Sequence, residues 1–346
     1  MTKTRKFLLS AAIAAAGLAW IMQSSPASAE GNLVVYCGVQ EEWCQLMVNE
    51  FQKKTGITVA MTRKSAGEIY AQIKAEAANP KGDVWWGGTG DPHLQAAEEK
   101  LTAVYESPMA KDLHPWAVEQ AKTGSMRTVG IYLGALGFGY NTETLAKKKL
   151  PEPKCWADLT KADYKGEIQI ANPNSSGTAY NFLATMVQIM GEDKAFDYLK
   201  KLNENINQYT KSGAAPAQAA GRGETLIGIS FMHDVITPSI QGMPLKVVAP
   251  CEGTGFEIGS MSIIEGARNL DNAKKFYDWA LTPEAQVLGA QAQSYQNPSN
   301  KKAPIPEQAP KMNKIKLIDY DFKKYGSSEE RKRLLAKWDS EIKATK

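Results

Sequence analysis

Short apolar strands alternate with amphipathic helices along most of this chain, and that alternation limits the fold more than any other feature. "NLVVYC" reads as a strand, "EEWCQLMVNEFQKKTG" as an amphipathic helix closed by glycine, and "ITVAMTR" as a second strand. "SAGEIYAQIKAEAANP" reads as a helix with Ser65 as N-cap and Asn79-Pro80 as its stop, and "DVWWGG" as a third strand. Such a series implies parallel sheets covered by helices, an α/β fold. A second series follows, with strands at "GEIQIANP", "INQYT", "LIGISFMHD" and "LKVVAPCEG" and helices between the first three. Two long β-rich runs, "VGIYLGALGFGYN" and "FEIGSMSIIEG", flank it. The pattern predicts two αβ lobes joined by a two-strand hinge, with residues 30–133 and 266–346 in the first lobe and 134–265 in the second. About 317 residues follow position 29, a comfortable length for two domains.

Residues 1–29 carry Lys3, Arg5 and Lys6, an apolar stretch from Phe7 to Met22, and Ala27-Ser28-Ala29. This is the layout of a cleaved secretory signal peptide, with Glu30 starting the mature chain and the periplasm as destination. The apolar stretch is shorter than the roughly 20 residues that span a bilayer. Without the leader the net charge of +4 falls to about +1, and no dense basic cluster remains. Nucleic acid and anionic membranes are therefore not expected as partners. Four cysteines in an exported chain favour disulfides. Cys37 and Cys44 suit a local loop, which leaves Cys155 with Cys251; no Cys-x-x-Cys or His-x-x-x-His spacing points to a metal.

Ligands of open α/β sheets bind beyond the carboxyl ends of the strands. Four loops there, "CGVQEEW", "RKSAGE", "GGTGDP" and "NPNSSGTA", are rich in glycine, hydroxyls and amides. A helix N-terminus offers free N–H groups and partial positive charge, so it is suited to anions. Ser65 with the amides of Ala66 and Gly67 forms one such end, and Ser175, Ser176, Gly177, Thr178 and Ala179 a second in the other lobe. Thr89 and Gly90 add further donors. Ser65 alone reads as a helix cap, worth about 1 kcal/mol. The hydroxyls of "SSGT" exceed what one cap uses, so they are assigned to a ligand. His233 and Asp234 in "FMHD", with Glu257 near the return crossing, offer the mixed donors and acceptors that sugar hydroxyls require; each is also compatible with a structural role. Gln40 and Glu41 are weaker candidates. One of Trp85 and Trp86 is expected in the core, leaving the other for the cleft. No Gly-x-Ser-x-Gly elbow or metal motif is present, and no enzyme activity or cofactor is expected.

"DVWWGGTGDP", "LGFGYNTETL" and above all "YKGEIQIANPNSSGTAY" resemble the periplasmic substrate-binding proteins of ABC importers, in the ferric-iron or extracellular solute-binding subgroup. The resemblance covers essentially the whole mature chain. It implies a two-lobed type II binding protein, monomeric, that closes on a small solute and delivers it to an inner-membrane permease complex. The ferric-binding members hold the metal with an adjacent tyrosine pair, and this chain has no Tyr-Tyr. Within the family it is most similar to hexose-phosphate binders, sharing the cysteine placement, "SSGTAY", "HD" and "PCEGTG". That likeness assigns phosphate to Ser65, Thr89, Ser175, Ser176 and Thr178, and sugar to His233, Asp234 and Glu257. Iron, or a phosphonate, pyridoxal phosphate or thiamine, is the alternative ligand; a phosphate-ester hydrolase is the least favoured reading.

Overall fold

The computed structural model describes residues 31–345, so the expected leader, residues 1–29, lies outside the described residues. Three parallel strands, β1 (Asn32–Cys37), β2 (Thr58–Arg63) and β3 (Val84–Trp86), alternate with helices α1 (Glu41–Thr55), α2 (Ala66–Ala75) and α3 (Gly90–Glu98). Gly56 ends α1 in the left-handed conformation, its N–H donating to the Gln52 carbonyl, as the closing glycine predicts. Helix α4 (Pro115–Thr123) then leads into the thirteen-residue strand β4 (Val129–Asn141), buried along its whole length.

Strand β4 belongs to both lobes. Val129 to Ala135 pair antiparallel with β9 (Phe256–Ile263), and Leu136 to Tyr140 pair antiparallel with β7 (Ile227–Phe231). The second sheet is completed by β5 (Ile168–Ala171) and β6 (Ile206–Thr210), parallel to each other, and by β8 (Leu245–Val248) on the other edge of β4. Helices α5 (Thr142–Lys148), α6 (Gly177–Met190), α7 (Glu192–Asn205), α8 (Ala215–Gly221) and α9 (Met232–Ile240) belong to this lobe. The strand order β2-β1-β3-β9-β4-β7-β5-β6 makes one continuous mixed sheet, with β10 (Asn297–Pro298) added on β4. Glycine packing shapes the shared strand: a methyl group on Gly139 would collide with Val235 of α9, and one on Gly130 would crowd Ala117 of α4.

Two expected boundaries move. The return crossing falls before Phe256 rather than after residue 265, because β9 is hydrogen-bonded between β3 and β4 of the first sheet. The C-terminal region, expected wholly with the first lobe, is shared. Helices α10 (Leu270–Ala280), α11 (Pro283–Gln286) and α12 (Leu288–Gln291) contribute Phe276 and Trp279, Ala285, and Leu288 respectively to the core that holds Leu33, Val35, Trp43 and Phe51. Farther on, α13 (Phe322–Tyr325) and α14 (Ser328–Glu341) place Tyr325, Leu334 and Trp338 in the second core, beside Trp156, Phe182 and Phe196. Arg331 of α14 is 2 % exposed; its Nε donates to Gln95 of α3 at 2.8 Å and its guanidinium stacks 3.9 Å from the ring of Tyr180 in α6. A charged helix assigned from sequence to one lobe thus bridges both.

Both disulfides pair as expected, Cys37 with Cys44 and Cys155 with Cys251. The second closes a sequence separation of 96 residues, against 7 for the first. Beside it the Glu252 carboxylate accepts from the backbone N–H groups of Trp156 and Ala157, each at 2.8 Å. Chain-entropy arguments assign about 4 to 5 kcal/mol to the long loop and about 2 to 3 kcal/mol to the short one. Cys155→Ala with Cys251→Ala is therefore expected to lower the urea midpoint more than Cys37→Ala with Cys44→Ala; the reverse order in equilibrium denaturation would contradict this ranking.

Candidate functional site

The lobes meet around a cavity of about 430 Å³ at the carboxyl ends of the strands. Five helices of nine residues or more begin at its wall. Gln40, Ser65, Thr89, Ser176 and Phe231, the N-caps of α1, α2, α3, α6 and α9, all line it. Each helix start carries roughly half a positive charge, which sets positive dipole ends around a lining that has no lysine and also holds Asp234 and Glu257. Arg63, the last residue of β2, adds one full charge.

The "GGTGDP" loop shows how local sequence delivers a side chain. Gly87 and Gly88 take φ of 82° and 90°, a left-handed turn that side-chain-bearing residues disfavour. The turn aims the Gly88 N–H at the Tyr132 hydroxyl, which accepts it at 3.0 Å, and sets Thr89 at the head of α3. Thr89 is 3 % exposed and its hydroxyl has no hydrogen-bond partner. It faces Gly177 across the cleft so closely that a methyl group on Gly177 would collide with it. On the α6 side the Ser176 hydroxyl accepts from the Ala179 N–H at 3.3 Å, so this serine is the cap. The Ser176 and Thr178 hydroxyls border Gly213, where a side chain would overlap Thr178.

The opposite end of the cavity is acidic. Asp234 accepts from Ser230 Oγ at 2.8 Å and from Gln40 Nε2, which reaches it from the other lobe. His233 Nε2 lies 3.7 Å from both Asp234 Oδ1 and Glu257 Oε1, and the ring stacks on Phe231. Its Nδ1 has no partner and packs against Gly134 of β4. Burial lowers the His233 pKa, with Asp234 pulling the other way. Burial raises Glu257 well above the usual carboxylate range, reinforced by the charges of Asp234 and Asp91. A neutral imidazole and a protonated carboxyl can each donate and accept, the capacity that hydroxyl groups of a ligand match.

Contacts across the cleft hold the lobes together. Gly67 N–H donates to the Ser175 carbonyl at 3.0 Å, Arg63 Nη2 to Ser212 Oγ at 3.2 Å, and Thr237 Oγ1 to the Gln293 carbonyl at 2.6 Å.

Of the residues singled out from sequence, Gln40, Ser65, Ala66, Thr89, Ser176, Gly177, Thr178, His233, Asp234 and Glu257 line this one cavity. Ser175 and Gly67 do not. The Ser175 hydroxyl donates instead to the carbonyls of Asn172 and Lys211, at 3.2 and 3.1 Å, while its own carbonyl takes the Gly67 N–H expected for an anion. That pair is a closure contact. Neither tryptophan reaches the cavity: Trp85 stacks on His93 at 3.6 Å, and Trp86 meets Trp43 edge-on. Glu41 sits at the outer mouth, not in the cavity. Residues that sequence reasoning missed are Arg63, Tyr132, Ser212, Gly213 and Gln296. The rule that picked the other loops also covers "TKSGAAP" after β6 and would have found Ser212 and Gly213.

Among the described residues, the group with metal-ligand spacing is Cys155, Cys251 and Glu252, away from the cleft and with both thiols in a disulfide.

Two outcomes test this geometry. Gly177→Ala is expected to block full closure while leaving the fold intact, because N1 of a helix accepts alanine and only Thr89 of the other lobe obstructs it; small-angle scattering with saturating ligand is expected to report a larger radius of gyration than for the wild type. Glu257 holds its proton above the unfolded pKa, so it lowers stability progressively as pH rises through and beyond the ordinary carboxylate range. Glu257→Gln mimics the protonated form. Its stability advantage over wild type is expected to grow from pH 5 to pH 8, by at most about 1.4 kcal/mol per pH unit; a constant or shrinking gap would show that Glu257 is ionised in the fold.

Residues 92–324 match the family of bacterial extracellular solute-binding proteins. The chain is 49 % identical to AfuA of Actinobacillus pleuropneumoniae, a periplasmic binding protein whose structure holds exogenous fructose-6-phosphate. That likeness has a TM-score of 0.88 and covers 91 % of this chain and 99 % of AfuA. The periplasmic binding protein P5PA is 42 % identical, with a TM-score of 0.88 over 90 % of this chain and all of that one. A Salmonella typhimurium periplasmic protein named for 2-aminoethylphosphonate binding is 27 % identical over 77 % of this chain and 78 % of its own. These relatives are receptors, not enzymes, and the two-lobed type II fold is theirs as well. The chain belongs to the bacterial extracellular solute-binding proteins and is a periplasmic-type receptor of an ABC importer.

Proposed function

We propose that the cleft captures a small phosphorylated organic solute, with a hexose phosphate as the best fit, and releases it intact to the membrane permease. The observation that carries this reading is the buried Thr89 hydroxyl without a partner, set where the N-termini of α2, α3 and α6 converge. A phosphate satisfies that hydroxyl, the free amides and the Arg63 charge together. Ser65, Ala66, Thr89, Ser176, Gly177 and Thr178 are assigned to the phosphate, and Gln40, His233, Asp234 and Glu257 to the organic end. The likeness to AfuA, whose structure holds fructose-6-phosphate, supports the same class.

Ferric iron fits less well. The phenol of the cavity is Tyr132, and burial beside Glu257 raises its pKa well above the ordinary value. Its hydroxyl already accepts the Gly88 N–H, and a single phenol does not supply the adjacent tyrosine pair with which the ferric binders hold Fe(III).

Titration calorimetry with fructose 6-phosphate, inorganic phosphate and 2-aminoethylphosphonate tests the proposal. Thr89→Val, which keeps the shape and removes the hydroxyl, is expected to weaken fructose 6-phosphate and inorganic phosphate alike by roughly 10- to 100-fold. His233→Ala is expected to weaken the sugar phosphate more than inorganic phosphate. Tight binding of 2-aminoethylphosphonate with none of fructose 6-phosphate would overturn the sugar assignment.

A further inference from the structure

The cleft has an inner cavity and an outer mouth. Among the described residues, Gln40, Arg63, Ser212, Ala214 and Asp234 border both. A hydrogen-bonded chain of side chains runs through this border from lobe to lobe. Ser294 Oγ donates to Gln40 Oε1 at 3.2 Å, Gln40 Nε2 donates to Asp234 Oδ1, and Asp234 Oδ2 accepts from Ser230 Oγ at 2.8 Å. Ser294 and Gln40 belong to the first lobe, Ser230 and Asp234 to the second. Gln40 stands at the N-cap of α1 but makes no capping bond with its side chain, so its amide is available for the crossing. The loop that presents it is pinned. The Cys37–Cys44 disulfide closes that loop, and the Val39 carbonyl accepts from Arg63 Nε at 2.8 Å.

We propose that this crossing sets the length of the solute, with Gln40 as the residue that decides it: the receptor takes a phosphorylated monosaccharide and rejects the same unit carrying a second sugar. The inference rests on the phosphate reading of the cleft. With the phosphate at the starts of α2, α3 and α6, the far end of the sugar faces Asp234. In fructose 6-phosphate that end is the anomeric carbon, which carries its substituents on the opposite side of the ring from the phosphate arm. A group added there runs from the cavity toward the mouth and meets the Gln40–Asp234 bond. It must either break that bond, leaving the carboxylate one donor short, or hold the lobes apart and forfeit the contacts of closure. Either route costs at least one hydrogen bond to a charged group, enough for a loss of affinity of roughly 10- to 100-fold.

The test compares fructose 6-phosphate with sucrose 6-phosphate phosphorylated on its fructose unit, which is fructose 6-phosphate bearing a glucosyl group on the anomeric oxygen. In titration calorimetry the wild type is expected to prefer the shorter ligand by roughly 10- to 100-fold. Gln40→Ala removes the barrier with no capping bond to lose, and is expected to narrow that preference about tenfold. Thr237→Val removes another bond between the lobes, to the Gln293 carbonyl, at the mouth but outside the cavity wall. It is expected to weaken both ligands and leave their ratio unchanged, which separates a barrier from a mere closure contact. Equal affinity of the wild type for the two ligands, an undiminished preference in Gln40→Ala, or an equal narrowing in Thr237→Val would each overturn the length rule alone. A wild type that binds neither ligand would overturn the phosphate reading, and the length rule with it.

Discussion

Closing the cleft forces the positive ends of five helices toward one another, and much else in the structure follows from that electrostatic conflict. Helices α1, α2 and α3 start on one side, α6 and α9 on the other, and their N-termini border one small volume with Arg63. Water screens the ends while the lobes are apart; bringing them together removes that screening. The closed form is relieved when negative charge enters between them, so a ligand with a phosphate stabilises closure without a lysine to attract it. Linkage of this kind is a population shift, driven by the difference in affinity between the open and closed arrangements.

The acidic end of the cavity poses the converse problem. Asp234 and Glu257 are buried within reach of His233, and two ionised carboxylates there would repel. The upward shift of the Glu257 pKa is in the direction that relieves the repulsion, since a protonated carboxyl is neutral and a hydrogen-bond donor. The cavity is thereby polarised along its length, with donors and positive dipoles at one end and mixed donors and acceptors at the other. A molecule with an anionic head and a hydroxylated body matches that gradient.

Much of this was legible in the sequence because strand ends in α/β folds are predictable places for function. Loops after β1, β2, β3 and β5 could be read from periodicity, and Thr89, Ser176, Gly177 and Thr178 do face one another. What could not be read was direction. Ser175 and Ser176 are neighbours of the same chemical type, yet one donates to loop carbonyls and the other caps α6 at the cavity wall. Tyr132 sits mid-strand in a glycine-studded run, and Gln296 arrives from a loop more than a hundred residues later; only tertiary packing brings them to the cleft. The lobe boundaries failed for a related reason. Strand β9 and helix α14 have local patterns that suit either lobe, and their partners, β3 for one and α3 with α6 for the other, are distant in sequence.

The place of β9 has a bearing on how the chain acquires its structure. Strand β3 ends at Trp86, but its neighbour toward the hinge is β9, which begins at Phe256. The first sheet is thus incomplete until about three quarters of the polypeptide has been made, and its closing step joins segments far apart in sequence, which slows folding. Tight early folding of the N-terminal half is disfavoured by topology alone.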